Sequence, residues 1–147
     1  MALALFIGPQ QRPVGIIDSY ESAWRAAGHA GDPEVMVVVA CFCAATKDEA
    51  RLIAATQAYW KVGAFRHGRV EGFHPSEEAT QLSRKLSPDD QAYFEITRES
   101  GIYGTADECL ERLGQLRRKY RARELGVVTV TYDQQSRLDS YRMLAGR

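Results

Sequence analysis

The chain has 147 residues, enough for one domain with its own core, and its 45% hydrophobic and 26% charged content is that of a globular protein. Nineteen Lys and Arg balance nineteen Asp and Glu, so the net charge is zero, which argues against a nucleic-acid binder or a membrane-surface protein, since both call for a basic excess. Three cysteines, without CxxC spacing or a signal-like start, are read as reduced thiols in a cytoplasmic protein.

The first apolar stretch, Met1 to Ile7, is far shorter than the roughly 20 residues of a membrane span and is predicted to be a strand, stopped at Gly8-Pro9. Pro13 then opens a helix in which Ile17, Tyr20, Trp24 and Ala27 share a face, and Gly28 caps its end. The run Val35 to Cys43 is the most hydrophobic in the chain and shows no alternation, the mark of a buried parallel strand. Cys41 and Cys43 are expected on opposite faces of it, poorly placed for a mutual disulfide. Thr46 and Glu49 have capping-box spacing, and Leu52, Ile53, Thr56, Tyr59 and Trp60 continue a helical face.

From Val62 onward the pattern is lost among Gly63, Gly68, Gly72, His67, His74 and Pro75. Ser76 then starts a short helix toward Leu86, and Ser87-Pro88 starts another to about Arg98. Residues 62–99 are therefore an excursion inserted between strand units of a single domain, 1–147. Gly101 to Gly104 reads as a turn or a very short extended piece. Thr105 and Glu108 repeat the capping box, and the helix they open is expected to turn Leu110, Leu113, Leu116 and Tyr120 inward, with the cations Arg117, Arg118 and Lys119 at its end. Glu124 to Tyr132 is a further buried parallel strand, followed from Asp133 by a helix with Leu138, Tyr141 and Leu144 inward. Three parallel strands result, with right-handed crossovers.

Polar candidates are few. His67 and His74 bracket a glycine-rich loop but have no carboxylate or thiolate at diagnostic spacing, so no metal site is assigned. Cys43, near the C-terminal end of its strand, is read as a buried thiol, and Asp133 as a helix cap. Gly101 and Gly104 before a capped helix are explained equally by a turn or a phosphate cradle.

Longer segments carry a family resemblance. Ser100-Gly-Ile-Tyr-Gly-Thr-Ala-Asp-Glu-Cys109 resembles the V-G-T-P-E-E-V segment of luciferase-like flavin-dependent monooxygenases. Ala44-Ala-Thr-Lys-Asp-Glu-Ala50 is similar to their A-E-T-D-E-E-A, and Phe6-Ile-Gly-Pro9 resembles the end of an earlier strand. Glu124 to Ala145, with Arg137-Leu-x-Ser-Tyr-x-x-Leu-Ala, resembles their last strand and helix.

The resemblance implies an α/β fold that is the C-terminal portion of a TIM (β/α)8 barrel, with these strands as the sixth, seventh and eighth. It implies FMN as cofactor and oxidation of a small organic substrate by reduced flavin and O2, in a chain inactive by itself. The family's phosphate-binding segment falls just before Met1. Leu5 stands where relatives tend to carry an aromatic residue or His beside the flavin, and Ala45 where an acidic residue is usual; Leu5 and Phe6 are the flavin-adjacent candidates by position. The alternative is a non-catalytic remnant or interaction module of that fold. Either way the inner sheet face stays uncovered, so a homo-oligomer or a partner chain is expected to cover it. Two copies would supply six strands, which favours sheets packed face to face over a completed barrel.

Overall fold

The computed structural model describes residues 2–8 and 13–146. The expected strand start at Met1 and its stop at Pro9 lie outside those residues. The elements are β1 (Ala2–Ile7), α1 (Gly15–Ala26), β2 (Glu34–Cys43), α2 (Lys47–Lys61), α3 (Ser76–Ser83), α4 (Pro88–Ser100), β3 (Ile102–Gly104), α5 (Ala106–Lys119), β4 (Glu124–Val128) and α6 (Gln134–Leu144). A π-helical turn, Val62–Arg66, extends α2.

Side chains near each start explain why several helices begin where they do. The Thr46 hydroxyl accepts from the Glu49 amide at the start of α2, and Ser87 accepts from the Asp90 amide ahead of Pro88. Thr105 and Glu108 close a full capping box on α5. Gly28, at φ +69, ends α1 in the left-handed region that a side chain resists.

Strand β2 is the hub. β1 pairs with it in parallel from Ala2↔Glu34 to Ile7↔Val39, and β4 pairs with it in parallel from Met36↔Glu124 to Ala40↔Val128. Because β1 and β4 bond the same residues of β2, they occupy its two edges. The last residues of β2, Cys41 to Cys43, pair with Ile102 to Gly104. Thus the piece before Thr105 is a fourth parallel strand, three residues long, and β4 lies beside β2 rather than beside β3. Along residues 36–39 the sheet is three strands wide.

One face of the sheet is packed. Leu5, Ile7, Val35, Val37, Val39, Cys41 and Cys43 form the main core with Ile17 of α1, Cys109 and Leu113 of α5, and Tyr120 at the C-cap of α5. Residues two apart on a strand point to the same side, so Cys41 and Cys43 share this face, correcting the expectation that they oppose each other. All three thiols are free and buried.

Three further expectations change. Leu110 is 49% exposed, because the buried stripe of α5 runs through Cys109, Leu113 and Tyr120 instead. On α6 the inward residue is Ser140, supported by Met143 and Leu144, while Leu138 and Tyr141 are exposed. Strand β4 stops at Val128 and none of its residues is fully buried, since one of its faces is left uncovered.

The excursion packs on α2: Ala79 of α3 and Phe94 of α4 join Ala55, Ala58 and Val62 in a separate cluster. The small side chains of α2 let these helices approach closely. Asp90, in the first turn of α4, accepts from Arg66 Nε at 2.5 Å and from Ser87 Oγ at 3.0 Å, and lies 2.9 Å from His67 Nε2. The Arg66 guanidinium above all, with help from Ser87 and His67, holds its carboxyl down at about 2, against an ordinary 3.8. A carboxylate lowered by folding adds stability above its unfolded value, and that contribution is lost as protons bind. The stability difference between wild type and Asp90→Asn is therefore expected at neutral pH and shrinks as pH falls from about 4 to about 2. Urea midpoints of both proteins across that range check it.

Candidate functional site

The uncovered face of the sheet is the feature to explain. Alternation along the strands assigns it Ala4 and Phe6 from β1, Met36, Val38 and Ala40 from β2, and Gly126 and Val128 from β4. Phe6, Val38 and Gly126 form one row across it. Phe6 is 66% exposed, a large aromatic surface held on a strand with no helix over it. A Cβ at Gly126 would lie 3.0 Å from both Met36 Cε and Val38 Cγ2, so those side chains lean across the glycine and floor the face.

The two sequence candidates are neighbours on β1 and go to opposite sides. Leu5 is 4% exposed and sits in the helix-side core, level with Val37 and Leu125. Phe6 alone of the pair offers surface. Ala45, in the bend before Thr46, is exposed.

Toward the strand C-termini the same face is sealed by Phe42, Ala44, Ala50, Ala54 and Tyr103. Arg51 Nε donates to Glu99 at 2.9 Å, and the Tyr103 hydroxyl donates to the other oxygen of Glu99, tying α2, α4 and β3 together. On the open edge beyond β4, side chains take over from a strand: Thr129 Oγ1 donates to the Cys41 carbonyl at 2.6 Å, and the Cys43 amide donates to Ser140 Oγ at 2.9 Å. Ser140→Ala removes that acceptor and leaves a buried amide unpaired. Its expected cost is about 1–3 kcal/mol, read as a lower urea midpoint at unchanged slope.

Beyond the end of β4 a groove of about 230 Å³ opens among Glu49, Ile53, Ser76, Thr131, Tyr132 and Asp133. Strand C-terminal ends are where α/β folds bind ligands. Asp133 caps α6 there, accepting from the Ser136 amide at 2.7 Å, and that bond holds its carboxyl below the usual range. The two loop histidines are not brought to one centre: His67 faces Asp90, while His74 packs edge-on against Tyr59 near Glu78. Among the described residues no cluster of His, Cys, Asp or Glu is arranged to hold a metal ion.

The residues present can be tested against a flavin. A flat tricyclic ring needs an apolar wall, and Phe6 with Met36 and Val38, whose side chains lean over Gly126, supplies one. A phosphate tail needs cations or grouped amides, and the rows from Ala4 to Val128 carry no Lys or Arg. The face is apolar, as a flavin ring requires, and holds no cation for a phosphate.

A parallel sheet with helices over one face and the other face bare is part of a (β/α)8 barrel, the bare side being the barrel interior. The chain belongs to the luciferase-like monooxygenase family, whose model matches residues 3–123. The uncharacterized protein YwcH of Bacillus subtilis (strain 168) is 29% identical over 130 residues, which is 88% of this chain and 38% of YwcH. YceB of the same organism, also uncharacterized, is 26% identical over 142 residues, 95% of this chain and 41% of YceB.

Among solved structures, apo-MsnO8 superposes with a TM-score of 0.73 at 30% identity, over 90% of this chain and 40% of that one. The EDTA monooxygenase EmoA from Chelativorans sp. BNC1 shares the fold, with a TM-score of 0.50 at 15% identity, over 97% of this chain and 40% of its own. The chain thus spans about two-fifths of the length of these relatives. No helix among the described residues is long and apolar enough to cross a membrane.

Proposed function

We propose that this chain, as a single domain with residues 62–99 as its elaboration, supplies the C-terminal strands of an FMN-dependent monooxygenase. The observation that carries the reading is the bare apolar face built by Phe6, Met36, Val38 and Gly126, in a chain of this family. Phe6 lies against the flavin ring, and Leu5, buried behind it, holds the strand in place. The bound cofactor supplies the redox chemistry, in which reduced flavin and O2 oxidise a small organic substrate. The protein face excludes water and fixes the ring by contact alone.

The site needs more than this chain. A second copy packed face to face covers the apolar face, and a partner carrying the remaining strands both covers it and brings the phosphate-binding segment. With β3 each copy carries four strands rather than the expected three, but β3 pairs only with the last three residues of β2 and the sheet is three strands wide through its centre, so face-to-face packing is the form a homo-oligomer takes. The three unpaired thiols suit a reducing, cytoplasmic setting.

A second reading, a non-catalytic interaction module of the same descent, draws on the absence of Lys and Arg from the bare face. A fluorescence titration with oxidised and then reduced FMN, run beside a solution mass, separates the two. Saturable binding at micromolar flavin by an assembled species supports the enzyme reading. A folded oligomer that fails to bind at millimolar flavin overturns it in favour of the interaction module.

A further inference from the structure

The helix side of the sheet holds a groove that the flavin reading does not use. β1 leaves β2 at Val39, β3 joins it at Cys41, and at that step a space of about 240 Å³ opens against α5. Ile7, Val39 and Ile102 lie at its floor, and all three belong to the main core, so the groove is on the opposite side of the sheet from Phe6. Leu116 adds an apolar wall, and Arg112 and Lys119 stand at the rim. Among the described residues no carboxylate lines it.

The charge that matters is that of Arg112, which is half-buried. Its guanidinium carbon lies 5.9 Å from the centre of the Tyr103 ring, a contact that holds the group in place and leaves its N–H donors for an acceptor. Glu108, one turn earlier on α5, is spent elsewhere. One of its oxygens accepts from the amide and the hydroxyl of Thr105 at 2.9 and 3.3 Å, and the other lies 3.8 Å from Lys47 Nζ. A partly desolvated cation beside an apolar floor, with no carboxylate in the groove to meet it, is an arrangement that a bound anion completes.

We propose that this groove binds a small organic carboxylate, its two oxygens forked on Arg112 and its apolar body lying between Leu116 and the strand ends. The planar guanidinium presents paired N–H groups at the spacing of a carboxylate's oxygens. The space is smaller than the roughly 300–1,000 Å³ of pockets for drug-sized ligands, so the body is a ring or two, or a short chain. Lys119 raises the potential at the rim and favours an anion over its neutral analogue. Because the groove and the bare face lie on opposite sides of the sheet, loss of flavin binding leaves this site standing.

The test is a titration of the intact chain with naphthoate, and with naphthamide as its neutral counterpart, followed by backbone amide NMR. The expected result is saturable shifts at Ile7, Val39, Ile102 and Leu116 with naphthoate, and about ten- to hundredfold weaker binding of naphthamide. Arg112→Gln weakens naphthoate by a similar factor and leaves naphthamide unchanged; the comparison of the two probes on wild type decides the matter should the variant fail to fold. Equal affinity for the two probes overturns the proposal, since the charge then plays no part. So do shifts that map to Phe6, Val38 and Gly126 in place of the groove, or the absence of any saturable shift up to millimolar naphthoate.

Discussion

Phe42→Ala is expected to lower the stability of the chain by about 3–5 kcal/mol, measured as a drop in urea midpoint. Phe42 is fully buried at the point where β2, β3 and α2 meet, with Ala50 and Ala54 on one side and Tyr103 on the other. Those alanines have no atoms with which to fill the void, and Tyr103 is held by its hydrogen bond to Glu99. Little collapse can relieve the cavity, so the cost belongs at the upper end for such a deletion. The pairing of β3 should loosen with it, since three residues bonded to Cys41–Cys43 are all that tie β3 to the sheet. Faster amide exchange at Ile102 to Gly104 in the variant than in wild type is the accompanying readout. A loss below about 1 kcal/mol would mean that this seam contributes little to the fold.

Local chemistry made much of this architecture legible. Thr46, Ser87 and Thr105 each announce a helix because an N-cap hydroxyl bonds an amide only two or three residues away, and all three bonds form. The run through β2 reads as a buried parallel strand because its helix-side face is covered along its whole length and its other face is sealed at Phe42, while the stretch from Met36 to Ala40 keeps that other face for a partner. What could not be read locally depends on distant partners. Ser140 faces inward on α6, against the apolar pattern of Leu138 and Tyr141, because its acceptor satisfies an amide 97 residues earlier in the chain. A three-residue strand such as β3 exists only through its neighbour, so Gly101 to Gly104 carries no strand signal of its own. Strand geometry puts Cys41 and Cys43 on one face, against the expectation of opposite faces, and the third cysteine of that core, Cys109, comes from α5, much further along the chain.

The candidate site is legible in a different way. Family resemblance pointed to Leu5 and Phe6 together, but period-two alternation sends one to the core and the other to the bare face. Gly126 was not singled out in the sequence. Its value lies in the lean of Met36 and Val38 across it, a tertiary fact visible only once β4 is set beside β2.

That division of labour on β1 gives a paired expectation. Leu5→Ala deletes a side chain packed level with Val37 and Leu125, and should destabilise the chain by about 2–5 kcal/mol. Phe6→Thr keeps a residue suited to a strand and removes only exposed surface, so the folding stability of the unassociated chain should move by no more than about 0.5 kcal/mol. Association is where Phe6 matters. Covering its ring against flavin or a second sheet is worth about 1.5–3 kcal/mol, which corresponds to roughly a ten- to hundredfold weaker dissociation constant in the variant. Sedimentation over a concentration series reads the self-association, and FMN titration reads the cofactor. Should Phe6→Thr leave both unchanged, the bare face is neither the flavin wall nor the surface through which copies meet. Should it weaken self-association and spare flavin binding, the face is an interface between chains and the ring sits elsewhere.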